Sequence, residues 1–206
     1  LAPELALWGY PPRDLLLQPA LRQQQDRQLD QLSGALPPGF GLLLGVVETS
    51  GQKLFNAMAL VERGGWRLVA RKRLLPSYDV FDEQRYFHSG DQPALLSWGG
   101  QRLGLTLCED LWVEPKISGR NAPLCDPIAE LQPLKPDLLI NLSASPFGQG
   151  KAERRRQLAG AAQQRLGCPV LYVNQVGGND ELIFDGNSFV LDATGALQQQ
   201  LPCGES

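Results

Sequence analysis

The sequence predicts a layered α/β fold with mixed sheets. Short runs of aliphatic and β-branched residues recur along the chain, and segments of helical composition separate several of them. Other runs follow one another across turn-like residues, as the strands of hairpins do. Strands that alternate with helices, with hairpins among them, are typical of helices packed on sheets that hold both parallel and antiparallel strands.

One helical region and three strands are predicted in the first part of the chain. Residues 13–36 are rich in Leu and Gln in a mostly helical pattern, with Pro19 near the start of the longer part. A Pro-Pro-Gly segment at residues 37–39 ends this region. Buried-strand candidates follow at residues 42–47, 54–61 and 66–72, and a Gly-Gly turn separates the last two.

The second part of the chain begins with residues 73–93, which show little periodicity but many aromatic and charged groups. This composition favours a functional loop over a linker. After the next strand, residues 113–127 contain Pro, Gly and Asn and lead into a short helix. Strands are predicted at residues 102–107, 137–142 and 169–174, a helix at 151–166, and a closing hairpin from 186–191 and the region after 195.

Composition excludes several classes of protein. The chain has 206 residues, 43% of them hydrophobic, and a formal net charge of -3, which argues against disorder and against nucleic-acid binding. No apolar run approaches the roughly 20 residues that span a bilayer, and no secretory signal opens the chain. The four cysteines are scattered and His88 is the single histidine, so a zinc cluster is not expected. These features predict a protein of the reducing cytoplasm that does not bind membranes.

Cys108 is the first candidate for chemistry. It ends the aliphatic run of residues 102–107 and is followed at once by Glu109 and Asp110. In α/β folds, ligands bind outside the carboxyl ends of the strands, where such a residue lies. The alternative is that Cys108 is a small buried hydrophobic residue, because free cysteine is among the most buried residue types.

Two further segments carry charges that a cysteine-based reaction needs. Glu4 lies in an otherwise apolar segment, and a desolvated carboxyl group suits general acid or base catalysis near neutral pH. Lys72 ends a predicted strand, and a lysine turned inward could lower a thiol pKa and stabilise an oxyanion. The alternatives are an exposed glutamate at a frayed terminus and a lysine on a solvated rim.

A thiol, a carboxylate and an ammonium group are sufficient parts for acyl transfer. The thiolate attacks a carbonyl carbon, the lysine offsets the developing negative charge, and the carboxyl group protonates the departing nitrogen. A Cys–His protease would instead need His88 as its base, and no other residue of that segment supports this role.

Four longer motifs carry a family resemblance: LPSYDVFDEQRYF at residues 75–87, CEDLW at 108–112, NLSASPF at 141–147 and NQVGGNDELIFDG at 174–186. With the Glu, Lys and Cys segments they resemble the carbon–nitrogen hydrolase (nitrilase) superfamily. Within it they resemble the glutaminase domain of glutamine-dependent NAD synthetases. The resemblance extends over essentially the whole chain, with the motifs in the family's order.

The resemblance implies an αββα sandwich and roles for individual residues. Glu4 corresponds to the general base, Lys72 to the family's lysine and Cys108 to the nucleophile. The residues at positions that bind glutamine are Tyr78, Ser145 and Lys151. The residues that would shape the pocket are Tyr10, Phe81 and Glu83, with Glu83 also placed to orient Lys72. Trp8 departs from the family, in which a small residue is common at that position.

The resemblance also implies an organisation and a set of partners. Residues 1–206 would be a glutaminase domain truncated at its N-terminus, lacking the family's first strand and helix, with no cofactor of its own and no metal. It would hydrolyse L-glutamine and supply ammonia to an ATP-dependent synthetase domain after residue 206, which would bind ATP, Mg and deamido-NAD. This chain itself contains no glycine-rich phosphate loop. A homo-oligomer is also implied.

Two alternatives stay open at this point. The first is a free-standing amidase or nitrilase acting on another small amide. The second is an inactive fragment or non-catalytic scaffold, because Glu4 lies three residues from the chain start, where termini fray.

Overall fold

Two β-sheets lie at the centre of the fold in a computed structural model, which describes residues 1–119, 121, 123 and 125–204. The smaller sheet is an antiparallel meander of three strands in the order β1-β2-β3. Its strands are β1 (Gly41–Ser50), β2 (Lys53–Glu62) and β3 (Gly65–Arg71).

The larger sheet has six strands in the order β11-β10-β7-β6-β5-β4. Its strands are β4 (Ala94–Trp98), β5 (Gln101–Leu107), β6 (Leu138–Ser143), β7 (Val170–Asn174), β10 (Phe189–Leu191) and β11 (Leu197–Gln200). The central strands β5, β6 and β7 run parallel, and the flanking pairs are antiparallel. A separate hairpin joins β8 (Val176–Asn179) to β9 (Leu182–Asp185).

Alternation of side chains along the strands determines how the layers pack. In β2, Met58 and Leu60 point toward the larger sheet and pack with Leu105 and Ile140. The intervening residues of β2 point the other way, and Ala59 packs under the first helix. Since successive side chains of a strand face opposite sides of its sheet, each strand of the smaller sheet contributes to two cores.

Helices cover the outer face of each sheet. The helices are α1 (Pro19–Ala35), α2 (Pro115–Ser118), α3 (Pro127–Leu131) and α4 (Lys151–Leu166). Leu29 of α1 packs on Leu44 and Val46 of the smaller sheet, and Leu158 of α4 belongs to the same core as Val170 of the larger sheet. The layers are therefore helix, sheet, sheet, helix, which confirms the αββα sandwich.

The elements that differ from the sequence prediction are short. Strand β4, helix α2 and the β8–β9 hairpin were not predicted, because four or five residues show no clear periodicity and β8 carries two glycines. The predicted hairpin near the C-terminus is confirmed as β10 and β11. Part of the 113–127 stretch lies outside the described residues. No helix in the described part of the chain is long and apolar enough to cross a membrane.

Candidate active site

Cys108 lies where β5 gives way to a short 3-10 helix, Cys108–Leu111. Its side chain is 6% exposed. Its φ of 42° is in the left-handed region, which side chains other than glycine seldom adopt because Cβ approaches the following carbonyl oxygen. Such strain persists only where the surrounding structure enforces it, and it is concentrated at functional sites.

The segment that carries Glu4 is bound to β1 by main-chain hydrogen bonds. Gly45 donates to the carbonyl of Pro3 at 3.0 Å, and Ala6 donates to the carbonyl of Gly45 at 3.0 Å. A Cβ at residue 45 would lie 2.2 Å from the nitrogen of Leu5, so only glycine allows this approach. Glu4 is 0% exposed as a result. The alternative of an exposed glutamate at a frayed terminus is wrong.

Glu4 and Lys72 form the centre of a buried charge network. The Lys72 Nζ lies 2.7 Å from Glu4 Oε1 and 2.6 Å from Glu83 Oε1, and the lysine side chain is fully buried. Asn56 donates to Glu4 Oε1 at 2.7 Å, and the main-chain nitrogen of Ala144 donates to Glu4 Oε2 at 2.9 Å. Both carboxylate oxygens of Glu4 are therefore held in position by donors from three other segments.

The electrostatics of Cys108 favour the neutral thiol in the resting protein. Burial raises the pKa of the Cys108 thiol well above its usual value, and Glu4 raises it further. Lys72 lowers the pKa of Cys108, as the sequence predicts, but burial outweighs this effect. A reaction at this thiol would need a base to remove its proton, and Glu4 is the buried carboxylate whose charge acts most strongly on the thiol.

Glu83 is the second carboxylate on Lys72, and burial raises its pKa to about 7. Its Oε1 accepts hydrogen bonds from the Lys72 Nζ and from the Tyr10 hydroxyl at 2.7 Å. Burial raises the pKa of Tyr10 well above 10, so the phenol keeps its proton and donates it to this bond. Glu83 Oε2 has no hydrogen-bond partner within the described part of the chain, and an unpartnered buried oxygen costs less in a neutral carboxyl group than in a carboxylate.

We expect Glu83→Gln to flatten the pH dependence of stability between about pH 5 and 8. The folded carboxyl group, with its raised pKa, binds a proton more tightly than the unfolded one, so its contribution is full below about pH 4.5 and is lost as the pH rises through about 7. Glu83 alone should therefore contribute a fall of on the order of 2–3 kcal/mol to the wild-type free energy of unfolding across this window, and the variant should lack that part of the slope. Glutamine keeps the Oε1 acceptor and lacks the titration.

Chemical denaturation at a series of pH values measures this slope. Glu153→Gln is the matched control, because the exposed Glu153 carboxylate is paired with Arg156 and its pKa is lowered, so it titrates below the window. A Glu83→Gln variant with the wild-type slope would contradict the assignment of the titration to Glu83.

Aromatic and charged residues form the mouth of the site. The Tyr78 ring lies 5.3 Å from the Phe81 ring, and the Tyr78 hydroxyl donates to Glu109 Oε1 at 2.7 Å. The Lys151 ammonium lies 5.7 Å from the Phe81 ring and 5.8 Å from the Trp112 ring, within the range of cation–π attraction. A cavity of 660 Å³ adjoins this mouth and is lined in part by Tyr78, Glu109 and Trp112.

Ser145 belongs to a loop that a buried arginine holds in place. Arg155 Nε donates to the Ser145 hydroxyl at 3.1 Å, and its guanidinium also donates to the Ser145 and Pro146 carbonyls and to both oxygens of Asp185. Asn174 accepts from the Ser145 nitrogen at 2.8 Å. The loop that donates to Glu4 through Ala144 is thus fixed from behind. The predicted contact of Ser145 with glutamine stays a prediction.

Other predicted residues occupy distinct places. The Tyr10 ring packs against Phe81 at 6.0 Å, which places both in the wall beside Glu83. Trp8 donates from its indole to Gln25 of α1 at 2.7 Å. His88 is exposed and its ring lies 6.0 Å from that of Phe55, whereas Cys108 is buried. A Cys108–His88 pair is therefore not formed.

Sequence reasoning missed several residues that organise the site. Asn56 is a lone polar residue inside an apolar strand, and this irregularity could have identified it. Glu109 and Trp112 lie within the CEDLW motif at residues 108–112, but the sequence alone did not predict their contacts with Tyr78 and Lys151. Asp110 lies in that same motif, and only Arg155 resembles an ordinary surface charge whose neighbours do not predict burial.

The family profile of carbon-nitrogen hydrolases matches residues 1–206. The match, the αββα layers and the buried Glu4–Lys72 pair beside a strand-end cysteine agree with one another, and the chain belongs to the carbon-nitrogen hydrolase family.

Similarity to particular proteins narrows this class. The chain is 42% identical over 209 residues to a glutamine-dependent NAD(+) synthetase of Synechocystis sp., covering 98% of this chain and 38% of the relative. It is 35% identical to the enzyme of the same name from Aquifex aeolicus, covering 95% and 33%. The chain therefore spans between 33% and 38% of the length of these two relatives.

Solved structures agree with the sequence matches. A glutamine-dependent NAD+ synthetase from Acinetobacter baumannii superimposes with a TM-score of 0.85 at 33% identity, covering 98% of this chain and 36% of that one. An amidase of the nitrilase superfamily from Nesterenkonia superimposes with a TM-score of 0.76 at 23% identity, covering 98% and 72%. The second likeness shows the fold alone.

Proposed function

We propose that this chain is the glutamine-hydrolysing part of a glutamine-dependent NAD synthetase. The observation that carries the proposal is the buried Glu4–Lys72–Glu83 network, which supplies a base and a cation beside the Cys108 thiol. The two relatives described above, both named for glutamine dependence, support L-glutamine as the substrate.

The first half-reaction forms a thioester. Glu4 accepts the proton of the Cys108 thiol as sulfur attacks the side-chain carbonyl carbon of glutamine, and the carbonyl electrons move to oxygen. Lys72 offsets the oxyanion charge, and loss of one such donor typically costs about 3–4 kcal/mol of transition-state stabilisation. Protonated Glu4 then gives its proton to the departing nitrogen, so that ammonia leaves and the carbonyl re-forms.

The second half-reaction returns the enzyme to its starting state. Glu4, again a carboxylate, removes a proton from water as the water oxygen attacks the thioester carbon. Collapse of this intermediate expels the thiolate, which takes the proton back from Glu4, and glutamate is released. The donors from Asn56 and Ala144 hold the carboxylate in one orientation through both halves of the cycle.

Lys151 is the residue that we assign to the α-carboxylate of glutamine. It begins α4, and its ammonium group lies between the Phe81 and Trp112 rings at the mouth of the site. The two rings hold a positive charge at this position, and an anionic ligand group gains a charge-assisted contact from such a cation.

Lys151→Met is therefore expected to raise KM for L-glutamine by about 10–100-fold, the loss associated with one hydrogen bond to a charged group. A primary amide that lacks an α-carboxylate should be hydrolysed as well as by the wild type. Lys53→Met is the matched control, since Lys53 is an exposed lysine at the start of β2. Equal KM increases for both substrates would contradict the assignment.

A substrate panel tests the proposed function directly. Ammonia release is measured from L-glutamine, D-glutamine, L-asparagine, simple aliphatic amides and a nitrile. The proposal predicts a kcat/KM for L-glutamine at least about tenfold above every other compound. A preference for simple amides or nitriles would indicate a free-standing amidase or nitrilase instead, and no covalent adduct with a diazoketone analogue of L-glutamine would indicate an inactive scaffold.

The ammonia is proposed to pass to an ATP- and Mg-dependent synthetase domain that amidates deamido-NAD. The lengths of the relatives, of which this chain covers about a third, support a further domain in the complete enzyme. Four free cysteines support a reducing compartment such as the cytoplasm. The homo-oligomer that the resemblance implies stays a prediction.

A further inference from the structure

Asp110 is a buried carboxylate that takes no part in the reaction steps above. It is 2% exposed. Its Oδ1 accepts hydrogen bonds from the main-chain nitrogens of Arg73 at 3.0 Å and Leu74 at 2.9 Å, and its Oδ2 accepts from the main-chain nitrogen of Leu107 at 3.0 Å. One side chain thus satisfies three main-chain donors.

These three donors lie next to two of the proposed reacting residues. Arg73 and Leu74 directly follow Lys72, and Leu107 directly precedes Cys108. The lysine follows β3 of the smaller sheet and the cysteine follows β5 of the larger sheet, so no strand ladder joins them. Asp110 joins the two segments through its carboxylate.

Asp110 binds the chain at a strained residue on one side and just after the end of a strand on the other. Cys108 has a φ of 42°, which costs on the order of 1–2 kcal/mol for a residue with a side chain. Lys72 is the first residue after β3, and irregular chain follows it. Hydrogen bonds from main-chain N–H groups to a carboxylate are among the stronger kinds, which suits a clamp between two such segments.

We propose that Asp110 is a positioning residue that sets the location of the Lys72 ammonium relative to the Cys108 thiol by binding both main-chain segments at once. The proposal rests on the proposed function only because it takes Lys72 and Cys108 to be the residues that react with glutamine. If Asp110 holds the two groups together, its loss should raise the pKa of the Cys108 thiol, because Lys72 is the group that lowers this pKa.

Asp110→Asn breaks the clamp with little change in volume. The amide has one acceptor oxygen, so if that oxygen stays with Arg73 and Leu74, the NH2 group faces the N–H of Leu107. The opposite rotamer places the NH2 group against Arg73 and Leu74 instead. Either way one segment loses its partner and gains a donor–donor contact.

The test measures the pH profile of Cys108 alkylation by iodoacetamide, with the modified peptide quantified by mass spectrometry. Asp110→Asn is expected to shift the midpoint upward by about one pH unit and to slow alkylation about tenfold at fixed pH, as loss of one charge-assisted contact implies. In glutamine hydrolysis, kcat should fall while KM changes less than about threefold, because the residues at the mouth are unaltered.

Asp192→Asn is the matched control. Its carboxylate also accepts from main-chain nitrogens, those of Thr194 and Ala196, but in the distant β10–β11 turn, so the alkylation profile should stay at the wild-type midpoint. A folded Asp110→Asn protein with a wild-type midpoint overturns the proposal. Alkylation needs no glutamine, so a failure of the proposed function leaves this result readable.

A second measurement covers the case in which Asp110→Asn does not fold. Burial raises the pKa of Asp110 to about 6, and the charged or titratable side chains that act on it are Lys72, Arg73 and Cys125. In the wild-type protein, the amide protons of Arg73, Leu74 and Leu107 should move upfield together as Asp110 is protonated. Amide shifts that do not share one midpoint overturn the proposal.

Discussion

Cys108→Ala is expected to lower kcat for L-glutamine hydrolysis by at least about four orders of magnitude, the loss seen when a nucleophile is removed from a hydrolase that acts through a covalent intermediate. Without sulfur no thioester forms, and the remaining Glu4 and Lys72 can only polarise a water molecule and the carbonyl group. Ammonia release under saturating glutamine and the mass of the protein after incubation with the diazoketone analogue measure both consequences.

Cys168→Ala is the control for this substitution. Cys168 is also a buried free cysteine, but it belongs to the core between α4 and the larger sheet. Its replacement is expected to cost on the order of 1 kcal/mol of stability and to leave turnover within about twofold of the wild type. Unchanged turnover in Cys108→Ala would remove Cys108 from the mechanism.

Glu4→Gln is expected to lower kcat by about 10²–10⁴-fold, the usual contribution of a general acid–base group. The amide oxygen can still accept from Asn56 and from Lys72, but the amide nitrogen then faces the donor of Ala144 and cannot remove a proton from the thiol. The same carboxylate serves both half-reactions, so single-turnover experiments should show slow acylation and slow thioester hydrolysis.

Glu48→Gln makes the same chemical change at a buried glutamate outside the site. Glu48 lies in β1 and is paired with Arg71, so this variant is expected to lose stability but to retain kcat. Circular dichroism spectra should show that the Glu4→Gln and Glu48→Gln proteins are both folded. A Glu4→Gln enzyme with kcat within about threefold of the wild type would require another base.

The strands of the fold were predictable wherever the chain repeats a clear pattern. The apolar runs at residues 42–47 and 54–61 became β1 and β2, because buried strands need continuous aliphatic and β-branched side chains. The β8–β9 hairpin was not predictable in the same way. Gly177 and Gly178 have no side chains and so interrupt the apolar pattern of a strand. Only the pairing with β9 identifies residues Val176–Asn179 as a strand.

The site was predictable as a set of chemical parts but not as an arrangement. Glu4, Lys72 and Cys108 were identified by their positions in motifs, and the structure places Glu4 and Lys72 2.7 Å apart although 67 residues separate them in sequence. The raised pKa of Glu83 and the dominance of burial over Lys72 at the thiol could not be predicted, since both depend on how completely water is excluded.

The sequence by itself determined the family and the layered α/β fold, and it predicted which groups would transfer an acyl group. These follow from local patterns and from motifs of neighbouring residues. Only the tertiary structure decided that the Glu4 segment is held against Gly45, that Lys72 lies between two carboxylates, and that Asp110 joins the two segments. Hydrogen bonds and burial act over a few ångströms in space, and no local pattern encodes which distant segments will share that space.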